Sequence, residues 1–261
     1  MTHTSARVWQ WVGIILILCI LGGAYWYWEV RASVKMNTSE SQPQGTGRLD
    51  SGLTGYWKMD EGSGTSTTDS STNGKTGTLT GGPTWTTGQF GGAVNFDGAD
   101  DYITVTESDD SKYTGELTLC VWANIETAGT YRHFMGKHAG SGSTANPFDF
   151  RTTADNPPKM ALARANTDYV LWEGPVTTLN QWKHYCVVAP SAIQTTPIFY
   201  INGVATAGIS VSGTGTGSAT GSGAAIRMGL RTDSVVLMDG SMDEARIYNR
   251  MLSADEVAQI Y

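Results

Sequence analysis

The chain begins with one long apolar stretch and then changes to short alternating segments. Residues 8–28 contain no charged side chain, and their length matches the roughly 20 residues that a helix needs to cross a bilayer. Trp9 and Trp11 lie at one end and an aromatic run at 25–28 lies at the other, which is typical of the two headgroup layers. The pattern predicts a transmembrane helix over residues 8–28, behind a short head at 1–7.

The segments that flank this helix indicate whether it is retained and how it is oriented in the membrane. A cleavable signal peptide, cut after the small residues 22–24, is an alternative, but the bulky aromatic residues beyond that point favour a retained anchor. The short head and the long polar tail favour a signal-anchor, so we expect the tail on the extracytoplasmic side of the membrane. Residues 29–51 are largely polar and predict a flexible linker.

Beyond the linker, short alternating segments are separated by turn residues. Residues 117–124 alternate, with aliphatic side chains at the odd positions and Thr118, Cys120, Trp122 and Asn124 at the even ones, as expected when successive side chains point to opposite faces of a sheet. The Asn-Gly pair at 202–203 is typical of a tight hairpin turn. Ser253 followed by Glu256 predicts the capping box of a short C-terminal helix. Residues 52–261 are therefore predicted to form an all-β domain, a two-sheet antiparallel jelly-roll sandwich.

Charge is divided unevenly between the two parts of the chain. Residues 1–49 hold four of the 17 Lys and Arg and two of the 24 Asp and Glu, so the remainder carries 13 against 22, a net charge of −9. Nucleic-acid binding needs clustered basic residues, and this composition argues against it. The 32 glycines show no three-residue period, so they indicate a turn-rich β protein and exclude collagen.

Several segments of the body resemble one known family. In the family's order they are LTGYWKMDE (53–61), GQFGGAVNFDGADDYITV (88–105), ELTLCVWANI (116–125), LNQWKHYCVVA (179–189), IFYINGVATAG (198–208) and GSMDEARIYNRMLSADEVAQIY (240–261). These segments are similar to LamG-like jelly-roll domains of the concanavalin A-like lectin/glucanase superfamily. The resemblance covers about residues 52–261 and implies a two-sheet sandwich, a fold that hosts many functions.

The resemblance also implies a structural calcium ion, which is familiar in LamG-like domains. Calcium takes carboxylate and carbonyl oxygens, and Asp69, Asn73 and Asp243 lie on segments expected to be the neighbouring first and last strands. We therefore expect Ca²⁺ to be held by these three residues. The alternative is that Asp69 caps its own turn and that Asp243 is a solvated carboxylate at a strand edge.

The two cysteines of the body have the parity of the face that points away from the core. Cys120 alternates with Leu119 and Val121, and Cys186 alternates with Tyr185 and Val187. A cross-strand disulfide between Cys120 and Cys186 is expected if the strands are neighbours and the domain is exported. The alternative is that both are small apolar fillers.

Aromatic and planar polar side chains are the candidates for carbohydrate binding. The favoured set is Tyr169 and Trp172, with Arg164 and Asp168 just upstream. Large aromatic residues also fill sandwich cores, so packing is the competing interpretation for each of them. Further candidates of these types are Trp85, Trp122, Tyr131, Arg132, His133, Phe148 and Trp182.

Catalytic motifs are missing from the sequence. A glucanase on this fold presents two carboxylates around the scissile bond, typically as Glu-x-Asp-x-x-Glu, and neither this string nor a Gly-x-Ser-x-Gly elbow occurs. We therefore expect no enzyme, but a membrane-anchored extracytoplasmic recognition module that binds a glycan or a surface protein. The alternatives are a structural or assembly protein without a small ligand and, less favoured, a glycan hydrolase or lyase.

Overall fold

The computed structural model describes residues 49–107, 109–139, 145–165, 168–231 and 236–261. The predicted head, transmembrane helix and most of the predicted linker lie outside these residues. Within the described ranges, no helix is long and apolar enough to cross a membrane. Residues 49–261 form one compact unit.

The described chain is built almost entirely from β-strands. The first nine are β1 (Leu53–Trp57), β2 (Ser66–Thr67), β3 (Gly77–Thr80), β4 (Thr84–Thr87), β5 (Gly92–Asp97), β6 (Tyr102–Val105), β7 (Leu117–Ile125), β8 (His133–Lys137) and β9 (Asn146–Thr152). The others are β10 (Lys159–Ala165), β11 (Tyr169–Val176), β12 (Trp182–Ala189), β13 (Ile198–Ile201), β14 (Val204–Ala207), β15 (Ile209–Ser212), β16 (Ile226–Met228) and β17 (Asp239–Tyr248). A 3₁₀ turn covers Asp110–Lys112, and one helix, α1, covers Ala254–Gln259.

These strands form two antiparallel sheets, as the alternating pattern predicts. Sheet A has the order β14-β13-β12-β7-β17-β5-β4, and β1 also pairs with β17. Sheet B has the order β15-β11-β10-β9-β8-β16-β6-β3-β2. The all-β two-sheet sandwich, consistent with a jelly roll, is therefore confirmed.

The main core lies between the two sheets and follows the predicted parity. Leu119, Val121 and Ala123 of β7 are fully buried and belong to it. The opposite face of β7 is buried as well, because a second apolar cluster brings Cys120 together with Val257 of α1. A strand that is covered on both sides in this way cannot show a simple division into apolar and polar faces.

Three local predictions are confirmed. Cys120 and Cys186 occupy directly opposite positions on β7 and β12 and form a disulfide. The Ser253 hydroxyl and the Glu256 carboxylate make the capping box at the start of α1. At the β13–β14 turn, Asn202 and Gly203 both have positive φ, 50° and 75°, the conformation that favours Asn-Gly in a two-residue hairpin.

Candidate binding site

A row of polar side chains lies on the outer face of sheet B. In β9, the run Phe148-Asp149-Phe150-Arg151 alternates, and both phenylalanines are in the core. The carboxylate and the guanidinium must therefore point to the other side. Register places His133 of β8 opposite Arg151.

Tyr169 of β11 completes the row, because Arg151 Nη2 donates to its hydroxyl at 3.2 Å. We call His133, Asp149, Arg151 and Tyr169 the polar face.

Arg151 and Asp149 organise the polar face. Arg151 Nε donates to Asp149 Oδ2 at 3.1 Å, and Arg231 Nη1 lies 3.5 Å from the same oxygen. His133 Nε2 lies 3.4 Å from Asp149 Oδ1. The guanidinium of Arg151 also stacks 4.4 Å from the ring centroid of Tyr131, whose side chain is 41% exposed. The buried Asp149–Arg151 pair thus holds the accessible ring of Tyr131 in place.

The ionisation of these groups follows from burial and from the arginines. Burial lowers the pKa of His133 to about 4, so the imidazole is neutral at neutral pH and offers one donor and one acceptor. Burial alone would raise the pKa of Asp149, but the positive charge of Arg151, with further contributions from His133 and Arg231, lowers it overall. The polar face therefore presents a carboxylate, a guanidinium and a neutral imidazole.

Several polar atoms here have no hydrogen-bond partner within the described part of the chain. They are both ring nitrogens of His133, Asp149 Oδ1, Arg151 Nη1 and both amide atoms of the neighbouring Asn146. A buried polar atom left unpaired costs about 1–3 kcal/mol, so such a concentration calls for an explanation. A hydroxyl-rich ligand would supply donors and acceptors to all of them.

Small residues flank these atoms. Ala161 and Ala163 of β10 stand opposite Arg151 and Asp149, so no bulky side chain covers the pair from that strand. At Gly136 of β8, an added Cβ would approach His133 Nε2 to 2.7 Å. Glycine at this position therefore leaves room for the imidazole of His133 to pack over the strand.

The four residues predicted to bind carbohydrate do not share one surface. Trp172 is 7% exposed, belongs to the core, and donates its indole N–H to Ile193 O at 3.0 Å. Arg164 pairs with Val170 across β10 and β11, which puts it on the inner side of sheet B. Tyr169 reaches the polar face, and the exposed Asp168 beside it accepts from the Thr214 hydroxyl at 2.7 Å.

Two of the three predicted calcium ligands, Asp69 and Asn73, share one hydrogen-bond network through the Ser71 hydroxyl, whereas Asp243 belongs to another. Asp69 already accepts from the backbone N–H groups of Tyr56, Ser71 and Lys75 and from the Ser71 hydroxyl, as a turn-capping carboxylate does. The Asn73 amide donates to Leu53 O at 3.0 Å. These contacts engage both carboxylate oxygens of Asp69 and the amide nitrogen of Asn73.

Asp243, the third predicted ligand, lies on the outer face of sheet A. It stands opposite Trp122, and its Oδ2 accepts from the Phe90 N–H at 2.9 Å. Burial first, and then the negative charges of Glu244 and Asp60, raise the pKa of Asp243 to about 7.

A different group of carboxylates has the spacing of a hard-cation site. Oxygens of Asp97, Asp100 and Asp101 lie within 4.8 Å of one another. Burial, and then the neighbouring carboxylates, raise the pKa of Asp101. Three oxygen donors suit Ca²⁺, although exposed acidic turns also occur without an ion, so calcium stays a prediction.

Sequence reasoning missed Asp149 and Arg151 at the centre of the polar face. The signal that could have found them is the alternation in β9, where a carboxylate and a guanidinium sit between two phenylalanines. Tyr131 and His133 were among the broader set of polar and aromatic candidates.

Comparison with known proteins connects this architecture to one family. The family model described as the concanavalin A-like lectin/glucanases superfamily, Laminin_G_3, matches residues 97–258. No curated protein sequence matches the chain.

Solved structures share the fold at low identity. Domain 4 of AbnA, a GH43 extracellular arabinanase from Geobacillus stearothermophilus in complex with arabinotriose, is 19% identical with a TM-score of 0.62. That match covers 80% of this chain and 97% of that one. The binding domain of botulinum neurotoxin DC in complex with SialylT is 9% identical with a TM-score of 0.57, over 81% of this chain and 51% of that one. The same toxin domain in complex with rat synaptotagmin II is 10% identical with a TM-score of 0.58, over 81% and 51% of the two chains. At these identities the likeness shows the fold alone, and this chain spans about half the length of the toxin domains.

Proposed function

The chain belongs to the concanavalin A-like lectin/glucanase superfamily, and on that premise we propose that its β-sandwich is a non-catalytic recognition module that binds carbohydrate at the polar face. The observation that carries the proposal is the set of unpaired buried polar atoms on His133, Asp149, Arg151 and Asn146. Sugar hydroxyls both donate and accept, so a saccharide can pair with either kind of atom in this set. The accessible ring of Tyr131 beside it provides an apolar surface for a sugar ring.

The comparisons make carbohydrate the first ligand class to test. Two of the structures with this fold are complexes with saccharides, arabinotriose and SialylT, and another is a complex with a protein, synaptotagmin II. A protein partner is therefore the second class. A shared fold does not imply a shared ligand, so the main support for the proposal is the arrangement of the polar face.

The ionisation of Asp149 supports a binding role in preference to hydrolysis. A glycosidase needs one carboxyl group whose pKa is raised so that it can donate a proton. Glu173, on the next strand but one, is tied to Lys159 Nζ at 2.9 Å. The pKa of Asp149 is lowered. Asp149 therefore does not have the environment of a general acid.

We propose further that the module is displayed on the extracytoplasmic side of a membrane through residues 8–28. The apolar segment at the start of the sequence supports anchoring, and the Cys120–Cys186 disulfide supports an oxidising compartment. Protease treatment of intact cells should degrade residues 49–261, whereas protection of this part from protease would refute the orientation.

A glycan array probed with the full-length chain in detergent tests the binding function. We expect saccharide binding that falls about tenfold in Tyr131→Ala, because an aromatic surface against the sugar ring is lost. Tyr261→Ala is the matched control, since Tyr261 is 48% exposed but stacks on Trp122 of sheet A. Absence of any glycan signal, or equal losses in the two variants, would refute carbohydrate binding at the polar face.

A further inference from the structure

We propose that the edge strand β14 is an interaction surface for a second copy of this chain, so that two sandwiches pair side by side about a two-fold axis. The inference concerns assembly and does not depend on the ligand of the polar face. Three observations support it: the open hydrogen-bonding edge of β14, the lack of charge around it, and the fit of the strand to itself.

The strands β14 and β15 bring the ends of both sheets to one side of the sandwich. β14 ends sheet A and β15 ends sheet B, and only Gly208 lies between them in the chain. Every residue of the two strands is exposed, and Val204 and Ile209 are 69% and 70% exposed. Neither strand contains the Lys or Pro residues that commonly protect a sheet edge from pairing.

The pairing of β14 with β13 shows which backbone groups point away from the domain. Gly208, just after β14, donates its N–H to Pro197 O at 2.9 Å. Bonded and non-bonded positions alternate along an antiparallel ladder, so the backbone of Thr206 also faces β13, and the N–H and C=O groups of Ala205 and Ala207 point outward. Within the part of the chain that the structure describes, no strand other than β13 pairs with β14. The outward donors and acceptors are therefore open to a partner strand.

The lack of charge along this edge favours contact between two copies. Residues 185–226, which include β13, β14 and β15, contain no Asp, Glu, Lys or Arg, whereas residues 50–261 as a whole carry a net charge of −9. A net charge of one sign keeps identical proteins apart, so association is favoured where the surface carries no charge. Contact at this edge would also remove the exposed apolar side chain of Val204 from water.

An identical strand fits β14 in one symmetric register. When two copies run antiparallel with Thr206 opposite the partner's Thr206, Ala205 of each copy faces the partner's Ala207. Each such pair exchanges two hydrogen bonds, so every outward backbone group of both strands is paired. A foreign strand is recognised through pockets for its alternate side chains, and the methyl groups of Ala205 and Ala207 form none. A second copy, in a two-fold symmetric contact, is therefore the occupant that this edge fits.

The register predicts one specific cross-link between copies. Opposite residues of a non-hydrogen-bonded pair have Cα atoms about 4.5 Å apart, which a disulfide can span, so Thr206→Cys should link two chains. Val204→Cys is the matched control, because Val204 is also exposed but would lie about 14 Å from the partner's Val204. Both variants are made with Cys19→Ser in the full-length chain, oxidised in detergent and run on a non-reducing gel. We expect at least about tenfold more cross-linked dimer from Thr206→Cys.

Two further variants test the hydrogen bonds and the lack of charge without any added cysteine. Ala205→Pro removes an outward N–H and leaves the pairing with β13, and Thr206→Lys places like charges together at the two-fold axis. Each should raise the dissociation constant of the dimer at least about tenfold, measured by sedimentation of the full-length chain in detergent. Thr86→Lys, an exposed position on β4 at the other end of sheet A, is the matched control and should leave the constant unchanged.

Three results would overturn pairing through β14. They are a wild-type chain that stays monomeric throughout the concentration series, equal cross-linking of Thr206→Cys and Val204→Cys, and a dimer that persists in Thr206→Lys and Ala205→Pro. Glycan binding at the polar face is measured separately on the same proteins. Failure of this inference therefore leaves the proposed function standing, and the reverse also holds.

Discussion

Arg164 offers the sharpest test of how the sandwich is held together. Its side chain is 2% exposed and donates to four backbone carbonyls, those of Pro147, Pro190, Tyr113 and Gly115, at 2.8–3.0 Å. Burial lowers the pKa of Arg164 to about 10, so it remains charged at neutral pH. One cation thus joins β10 to the neighbouring strand β9 and to two connecting segments, one before β7 and one after β12.

Replacing Arg164 by methionine keeps most of the side-chain volume and removes every donor. An unpaired buried carbonyl costs about 1–3 kcal/mol, and the two part-buried ones cost less because water can reach them. We expect Arg164→Met to lower the free energy of unfolding by about 3–5 kcal/mol, measured by urea unfolding of residues 49–261 followed by tryptophan fluorescence.

Arg227→Met provides the matched control on the same sheet. Arg227 is only partly buried and stacks on Tyr102, so its loss should cost no more than about 1 kcal/mol. A loss below about 1 kcal/mol in Arg164→Met, or equal losses in both variants, would refute the structural role. Loss of glycan binding in a stable Arg164→Met protein would instead restore the ligand role expected from sequence.

The disulfide, one buried carboxyl and the predicted calcium each give a measurable effect. Cys120→Ser should lower the free energy of unfolding by about 4 kcal/mol, because the bond closes a loop across a separation of 66 residues. Melting with reductant should reproduce that loss in the wild type only. The pKa of Asp243 is raised to about 7, so between about pH 4 and about pH 7 the folded protein keeps a proton that the unfolded chain releases. The free energy of unfolding of the wild type should therefore fall as the pH rises through this range, and Asp243→Asn should remove that fall. Urea unfolding at several pH values across this range measures the effect. If the free energy of unfolding depends on pH equally in the wild type and in Asp243→Asn, the raised pKa of Asp243 is contradicted. Chelation should lower the melting temperature if the predicted calcium is bound, and an unchanged midpoint without calcium in the mass spectrum would remove the ion.

Local alternation predicted the fold class and the face on which each cysteine lies, but not that the two strands pair. The parity of residues 117–124 places Cys120 away from the core, and the same reasoning applies to Cys186. Because both strands lie in the middle of sheet A, the two cysteines meet when the strands pair. The capping box of α1 is equally local, since Ser253 and Glu256 are only three residues apart.

The candidate site was harder to predict because it depends on contacts between distant segments. Alternation in β10 puts Arg164 on the same side as Met160 and Leu162, but its burial requires carbonyls that no local pattern reveals. Trp172 likewise finds its acceptor on Ile193, beyond the following strand. Asp149 and Arg151 are close in sequence, but the polar face also needs His133 and Tyr169, which come next to this pair only through the register of the sheet.

The Cys120–Cys186 bond also determines how the domain responds to mechanical tension. When the chain is pulled from residues 49 and 261, force crosses the bond and bypasses the enclosed residues, which include β8, β9, β10 and β11. The bond holds back about 22 nm of contour length for its 66-residue separation. The strands that carry the polar face therefore lie outside the loaded path, and full extension is reached only after reduction.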